Sequence, residues 1–437
     1  MNTLLLVPEF LSGNSFLQQP LCLLNVAANL EKRNINVDII DNRAKHYSID
    51  NLVKKIEDYD IIAVTTTPYD QVQNYFVDYR YCIAKDTINT IKREYPNKLV
   101  IVCGAHGTVR PSIVKREIKF DILIKGEYDY VLPELIERLN FKNNYDDIPN
   151  LIISNKDKYI ETTEDLELSR YDFDNTIIPA YHKINMNDYF GNEHFNNMPI
   201  KKKYWCIVQC SKGCPFECAY CNKFFGNKVR YRSVNSVISE LKLLENKYNI
   251  KEIFFIDSTF TLNKKFVMEL CNSIIDNNIK IKWGCETRVD CLDDEMLELM
   301  SKANCKTIWF GIESFSNSIL QLNKKGVSLE KIISSIKMVR KYNNIEIKAF
   351  IMLGMMGETK ETLEYTLSMV KELKLPYTKS IIVCTPRYDT LYYEYAIKQY
   401  SFLEESFYNL NLVNGMINNE ITEVDLYNSI NCMRKRT

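Results

Sequence analysis

The sequence predicts an α/β protein: a doubly wound parallel sheet, then a partial (β/α)6 barrel of the TIM type, then a short helical tail. Three observations predict it. Strand-length apolar runs alternate with helix-periodic segments over residues 1–140, the pattern of a parallel sheet covered on both faces. The alternation restarts at Tyr204 and continues through six strand–helix units, which suits a barrel or part of one. Between the two lies a stretch rich in Asn, Asp and Tyr with weak periodicity. The domains therefore read as 1–140 for the sheet, 141–200 for a linker, 201–395 for the barrel and 396–437 for the tail.

In the first domain, residues 3–7 form an apolar run stopped by Pro8. Residues 21–32 carry Leu24, Ala27, Ala28 and Leu30 at helical spacing. Runs at 37–40, 61–64, 99–102 and 122–124 are stopped by Asp41, Thr65, Gly104 and Gly126. Segments 78–95 and 131–139 read as helices. Such sheets bind ligands at the carboxyl ends of their strands, so the candidate loops begin at Pro8, Asp41, Thr65, Gly104 and Gly126. A short hairpin is expected around 151–161. In the second domain, strands are expected at 204–209, 252–257, 280–286, 307–313, 346–353 and 379–384. Helices such as 234–247, 292–303, 329–341 and 360–373 lie between them. Barrel chemistry sits after the strand ends.

Composition removes several functions. Lys plus Arg and Asp plus Glu are both 56, so the net charge is zero. That balance leaves no electrostatic footprint for nucleic acid as the main partner. No apolar run approaches the ~20 residues needed to span a bilayer. The N-terminus lacks the basic region and long apolar stretch of a signal peptide, so a cytoplasmic location is expected. The sequence holds 14 cysteines but no export signal. Most then read as buried small hydrophobes, and a cluster of them reads as metal or redox chemistry.

Five of these cysteines, Cys206, Cys210, Cys214, Cys218 and Cys221, fall in one window after the first barrel strand. The core is C-x3-C-x2-C through Cys214, Cys218 and Cys221. Three thiolates on one tight loop suit three irons of a cubane cluster, leaving the fourth open. A structural zinc site usually takes a second Cys pair or a His. No second pair follows nearby, and no His lies between Cys206 and Cys221. A ferredoxin would use C-x2-C-x2-C-x3-C, which this run does not match even with Cys210 as a fourth ligand.

With Tyr220 before the last cysteine, this motif resembles the signature of radical S-adenosylmethionine (SAM) enzymes. The resemblance covers about residues 200–395. It implies a [4Fe-4S] cluster on Cys214, Cys218 and Cys221 whose open iron is chelated by SAM, and reductive cleavage of SAM to a 5′-deoxyadenosyl radical. The second-strand segment Phe254–Thr261 lacks the familiar Gly-Gly-Glu, and Asp257 is the nearest acid for the SAM amino group. The resemblance further implies that Arg288 pairs with the SAM carboxylate and that Gly311 and Glu313 contact the adenosine. Residues 352–359 resemble the fifth strand-end loop, and 385–390 stand where relatives have Pro-Gly-Thr, with Asp389 in place of the Gly. Arg232 reads as structural. No catalytic side chain is assigned beyond the cluster.

The first domain is similar to the cobalamin-binding domain fused ahead of many radical SAM enzymes, through segments 20–30, 101–108 and 120–127. The resemblance implies cobalamin near Pro8, Thr65, Gly104, His106, Gly107, Gly126 and Glu127. The glycines allow close backbone approach. The loop after the first strand lacks Asp-x-His-x-x-Gly, so cobalt is expected to take no His from this protein. Neither G-x-G-x-x-G after the first strand nor a Walker lysine pattern appears, which weakens a nucleotide-binding reading.

The expected function is cobalamin-dependent radical C-methylation of an unactivated carbon through methylcobalamin. The partners expected are a small-molecule or peptide substrate and a reductant such as flavodoxin or ferredoxin. Two alternatives stay open: a cyclase or rearrangement enzyme with the same cofactors, and a non-catalytic iron–sulfur or corrinoid carrier that uses Cys210.

Overall fold

The computed structural model describes residues 1–9, 17–67, 78–156, 158–165, 171, 178–190, 204–376, 381–399, 421 and 426. The chain divides into two units, Met1–Gly191 with Lys223–Lys228, and Asn192–Asn222 with Val229–Thr437.

The first unit begins β1 (Thr3–Val7), α1 (Leu21–Lys32), β2 (Val37–Asp41), α2 (Asn42–Lys45), α3 (Ile49–Lys55), β3 (Ile61–Thr65) and α4 (Asp78–Glu94). It continues with β4 (Leu99–Cys103), α5 (Ala105–Val109), α6 (Pro111–Glu117), β5 (Ile122–Ile124), α7 (Tyr128–Asn140), β6 (Leu151–Asn155) and β7 (Lys158–Glu161). The strand order is β2-β1-β3-β4-β5-β6-β7. β1 to β5 pair in parallel, and β6 and β7 add as antiparallel strands. β1 and β3 are wholly buried because their side chains are apolar on both faces and both faces are covered. The hairpin expected at 151–161 is present, and it extends this sheet from β5. The chain reverses direction across the sheet between β2-β1 and β3-β4-β5, which puts the switch point between the ends of β1 and β3.

The second unit runs β8 (Trp205–Val208), β9 (Ser211–Lys212), β10 (Arg230–Tyr231), α8 (Val234–Tyr248), β11 (Glu252–Phe255), α9 (Lys264–Asp276), β12 (Lys282–Thr287) and α10 (Asp294–Lys302). There follow β13 (Cys305–Glu313), α11 (Asn317–Leu322), α12 (Leu329–Val339), β14 (Glu346–Leu353), α13 (Lys360–Glu372), β15 (Ile381–Val383) and α14 (Leu391–Gln399). Six parallel strands lie in the sequential order β8-β11-β12-β13-β14-β15, the order of a partial (β/α)6 barrel. Of the tail expected over 396–437, only 396–399, 421 and 426 are among the described residues.

Alternation along these strands sorts the core. Phe255 packs on Phe260 and Trp283 at 4.7 and 5.4 Å between ring centroids. On the opposite face Phe254 meets Trp309 at 4.7 Å, and Trp309 meets Phe350 at 5.4 Å. Gly284 makes that second row possible. A Cβ there would stand 2.4 Å from Thr307 Cγ2 and 3.0 Å from Phe254 Cδ2. Among the described residues, no helix is long and apolar enough to cross a membrane.

Candidate active site

The cysteine loop follows β8 and lies between the short antiparallel partners β9 and β10. Gly213 opens it with φ +97°, a left-handed conformation that glycine adopts without strain. Backbone bonds then tether it. Ala219 N donates to Asn323 O at 3.0 Å, and Tyr392 N donates to Ala219 O at 2.9 Å. Asn222 Nδ2 donates to Tyr388 O. The three thiols face one electrostatic neighbourhood. The Cys221 thiol is pushed up to about 12, first by desolvation and then by the Cys218 and Cys214 thiols, while Arg387 and Lys325 oppose the shift. The residue nevertheless keeps an exposed edge. Cys214 Sγ lies 3.9 Å from Thr259 Oγ1. Among the described residues, no group of three His, Cys, Asp or Glu side chains converges to hold a single metal ion.

Cys206 and Cys210 belong to the packing behind the loop, and both are fully buried. Burial, with the nearby Asp257 carboxylate second, raises the Cys210 thiol well above its usual range. Asp257 is also buried. It accepts from Cys210 N at 3.2 Å and from Ser211 Oγ at 2.5 Å. Desolvation lifts its carboxyl to about 6 against these hydrogen bonds. The acid expected to meet a SAM amino group is thus engaged by the backbone that leads into the cysteine loop. Arg232, expected to be structural, donates to Gln209 O at 3.0 Å and pairs with buried Glu240 at 2.5 Å.

Arg288 follows β12 and is 5% exposed. Nε and Nη2 each donate to a different oxygen of Asp290 at 2.9 Å. Its guanidinium carbon stands 3.7 Å from the Phe216 ring centroid, and Nη1 points at Cys218 Sγ at 3.8 Å. Glu313 ends β13 at a register shift, with φ +69°, and pairs with buried Lys325 at 3.1 Å. A Cβ at Gly311 would stand 2.8 Å from Glu313 Oε1 and 3.0 Å from Lys325 Nζ, so the glycine leaves room for this ion pair. Tyr220 is raised well above the phenol range by burial first, then by Glu313 and Cys218 nearby. Tyr220, Glu313 and Lys325 therefore gather at the cysteine loop, as do Arg288 and Phe216. Asp389 has φ +59°. A left-handed turn is what the Gly of Pro-Gly-Thr would provide, and Asp is among the residues that tolerate it.

Sequence reasoning did not single out Phe216, Asp290 or Lys325. Asp290 was visible as an i+2 partner for Arg288, and Phe216 lies inside the motif itself. Lys325 gave no signal, because its pairing depends on the turn after α11.

In the first unit, Pro8 and Thr65 sit at the ends of β1 and β3, on either side of the switch point, and both are buried. Gly104, at the end of β4, has φ +103°, and a Cβ there would stand 2.8 Å from Thr67 Oγ1 and 2.9 Å from Thr66 Oγ1. Two of the other expected residues are occupied by packing. Gly107 is pressed on β5, where a Cβ would lie 2.4 Å from Leu123 Cδ1. His106 is 1% exposed and packs on Tyr81 at 5.2 Å. Gly126, with φ +72°, donates its N–H to Thr108 Oγ1 at 2.9 Å, and buried Glu127 precedes α7. The loops 10–16 and 68–77, which follow β1 and β3, lie outside the described residues.

The sequence model of the radical SAM superfamily matches residues 208–370. An uncharacterized methyltransferase of Pyrococcus horikoshii is 31% identical over 378 residues, which is 85% of this chain and 77% of that protein. The chain belongs to the radical SAM enzymes. It is an enzyme of that family. The anaerobic magnesium-protoporphyrin IX monomethyl ester cyclase of Cereibacter sphaeroides is 27% identical over 342 residues. That match covers 76% of this chain and only 52% of the cyclase. Among solved structures, the radical SAM methyltransferase TsrM from Kitasatospora setae, with cobalamin and a [4Fe-4S] cluster bound, aligns with a TM-score of 0.69 at 17% identity. The alignment covers 86% of this chain and 70% of TsrM, a likeness of fold. The radical SAM match starts at Val208, the last residue of β8, and ends inside α13. It takes in the cysteine loop, Asp257, Arg288, Gly311 and Glu313.

Proposed function

We propose that this radical SAM enzyme is a cobalamin-dependent methyltransferase acting on an unactivated carbon of a small-molecule or peptide substrate. One observation carries the reading. A C-x3-C-x2-C loop follows the first strand of a partial barrel, in a chain whose other unit is a sheet with a switch point between β1 and β3. The relative named as a methyltransferase, matched over 85% of this chain, supports it.

In this reading Cys214, Cys218 and Cys221 would hold a [4Fe-4S] cluster that binds SAM. The donor set fits. All three donors are sulfur, and they lie close enough to repel one another as thiolates, a repulsion that an iron core cancels. Pro8, Thr65 and Gly104 would receive the corrinoid at the β1/β3 switch point. His106, packed on Tyr81, would serve the fold rather than hold the corrinoid. When bound, the cluster supplies the electron that cleaves SAM and the corrinoid supplies the methyl carrier. The protein's own work is to hold the loop and exclude water. The tethers at Ala219 and Asn222 do the first, and the apolar packing of Phe216 and Tyr220 contributes to the second. A flavodoxin or ferredoxin supplies electrons.

The test uses protein reconstituted anaerobically with iron, sulfide and cobalamin, then given methyl-labelled SAM and a reductant. Label is expected on the corrinoid, with release of 5′-deoxyadenosine. Release of 5′-deoxyadenosine with no label ever reaching the corrinoid overturns methyl transfer. That outcome supports the second reading, cyclisation or rearrangement, which the match to the cyclase favours. There one SAM rather than two is consumed per product.

A further inference from the structure

The resemblance assigns Arg288 to the SAM carboxylate, but its contacts lie elsewhere. We propose that Arg288 is a positioning residue for the cluster. It seats the Phe216–Cys218 limb of the loop and donates an N–H to the Cys218 sulfur, and Asp290 holds it in place. This rests on the reading of Cys218 as a cluster ligand.

Three contacts of one guanidinium argue for it. The edge formed by Nε and Nη2 is consumed by a bidentate pair with Asp290, both bonds 2.9 Å long. Such fork-to-carboxylate pairs fix the plane of the guanidinium. That plane lies over Phe216, the residue midway between Cys214 and Cys218, at 3.7 Å from the ring centroid. A planar cation on an aromatic face holds the ring where a flexible lysine would not. The remaining direction, Nη1, ends 3.8 Å from Cys218 Sγ. The group is 5% exposed, so its charge is poorly screened by water.

The consequence is electronic as well as mechanical. Hydrogen bonds to cluster sulfurs and nearby charge are among the levers that set iron–sulfur potentials. Reduction adds negative charge to the cluster, so a fixed cation beside one sulfur favours the reduced form. Arg288 would therefore raise the midpoint potential and make the cluster easier to reduce, while lessening its driving force toward SAM. Asp290 acts through Arg288, by keeping Nη1 on the sulfur.

The experiment compares R288M, R288K and D290N with the wild type, all as full chains reconstituted anaerobically. The readouts are iron per chain, the midpoint potential, and the change in the reduced cluster's electron paramagnetic resonance signal on adding SAM. R288M is expected to lower the potential and broaden the signal while the SAM-induced change persists. R288K is expected to restore part of the potential, because it keeps the charge but loses the fork. D290N loosens Nη1 from the sulfur but also removes a carboxylate charge, so its potential is expected to differ from the wild type by less than that of R288M. An R288M protein with the wild-type potential and no SAM-induced change overturns the proposal and makes Arg288 a SAM ligand. If R288M takes up no cluster, the potentials of R288K and D290N decide, and wild-type values in both overturn it. A wild-type chain that binds no [4Fe-4S] cluster is a separate result, which overturns the proposed function together with this inference.

Discussion

Lys348 shows what one buried side chain costs. It lies in β14, is 2% exposed, and its Nζ has no hydrogen-bond partner among the described residues. Its nearest compensation is the Trp309 ring, 5.3 Å away. Desolvation drops its pKa from 10.5 to about 8. Below pH 8 the lysine is charged in both folded and unfolded chains, and the folded chain bears the full penalty. Between pH 8 and 10.5 the folded lysine gives up its proton first, so stability rises with pH. Replacing it as K348M should stabilise the protein at pH 7 by on the order of 2 kcal/mol, a figure discounted for the aromatic contact. Unfolding temperatures of both proteins check this, and the difference should shrink toward pH 10.5. A variant less stable than wild type at pH 7 would assign the amine a partner. The cysteine motif was legible at this scale because its spacing stands in the sequence itself. The surroundings of Arg288 were not, because Phe216 and Cys218 reach it only through the fold, from the loop after β8 to the end of β12.

The elements of the barrel were legible for a similar local reason. Apolar runs mark the strands, and α8, α9, α10, α12 and α13 begin on side-chain caps from Ser233, Asn263, Asp293, Ser328 and Thr359. Such caps satisfy the free N–H groups of a first turn. The β6–β7 hairpin was legible as a hairpin, but its place on β5 was not. All of β7 is exposed, so no buried face fixes its pairing in the sequence. The loop after β14 likewise hides its device. Glu358 is fully buried, and its Oε2 accepts from Gly354 N and from Met355 N at 3.3 Å. Desolvation raises its carboxyl from 4.5 to about 7 against those bonds. Between pH 4.5 and 7 the folded chain holds a proton that the unfolded chain has lost, so this group makes stability fall as pH rises. E358Q should flatten that slope and keep the loop, since an amide oxygen still accepts. E358A should lose about 1–3 kcal/mol near pH 4.5, having stranded two buried donors, and that loss should shrink toward pH 7. Thermal unfolding across pH 4.5 to 7 separates the two, and an unchanged slope in E358Q would clear Glu358 of the effect.

At the scale of the whole chain, the sequence reading saw two α/β units but not the strand order of the first. Order depends on which way each crossover turns, and no single segment encodes that. The order matters, because it alone places Pro8 and Thr65 at a switch point. The first unit's hydrophobic core is drawn from residues between Leu5 and Ala180, none of them in the barrel. Cys214, Cys218 and Cys221 belong to the other unit. Folding of the sheet therefore has no need of the cluster. A chain with Cys214, Cys218 and Cys221 all changed to Ala should bind no iron–sulfur cluster and cleave no SAM. Hydrogen exchange should report the difference by segment. Amides of β1, β3 and β4 are expected to keep wild-type protection, because their hydrogen bonds and burial are made within the sheet. If the three cysteines hold the cluster as proposed, amides near Ala219 and Cys221 should exchange faster, because the loop loses that tether. Loss of protection in β1, β3 and β4 would mean that the cluster's binding energy is spent on folding the whole chain rather than one loop.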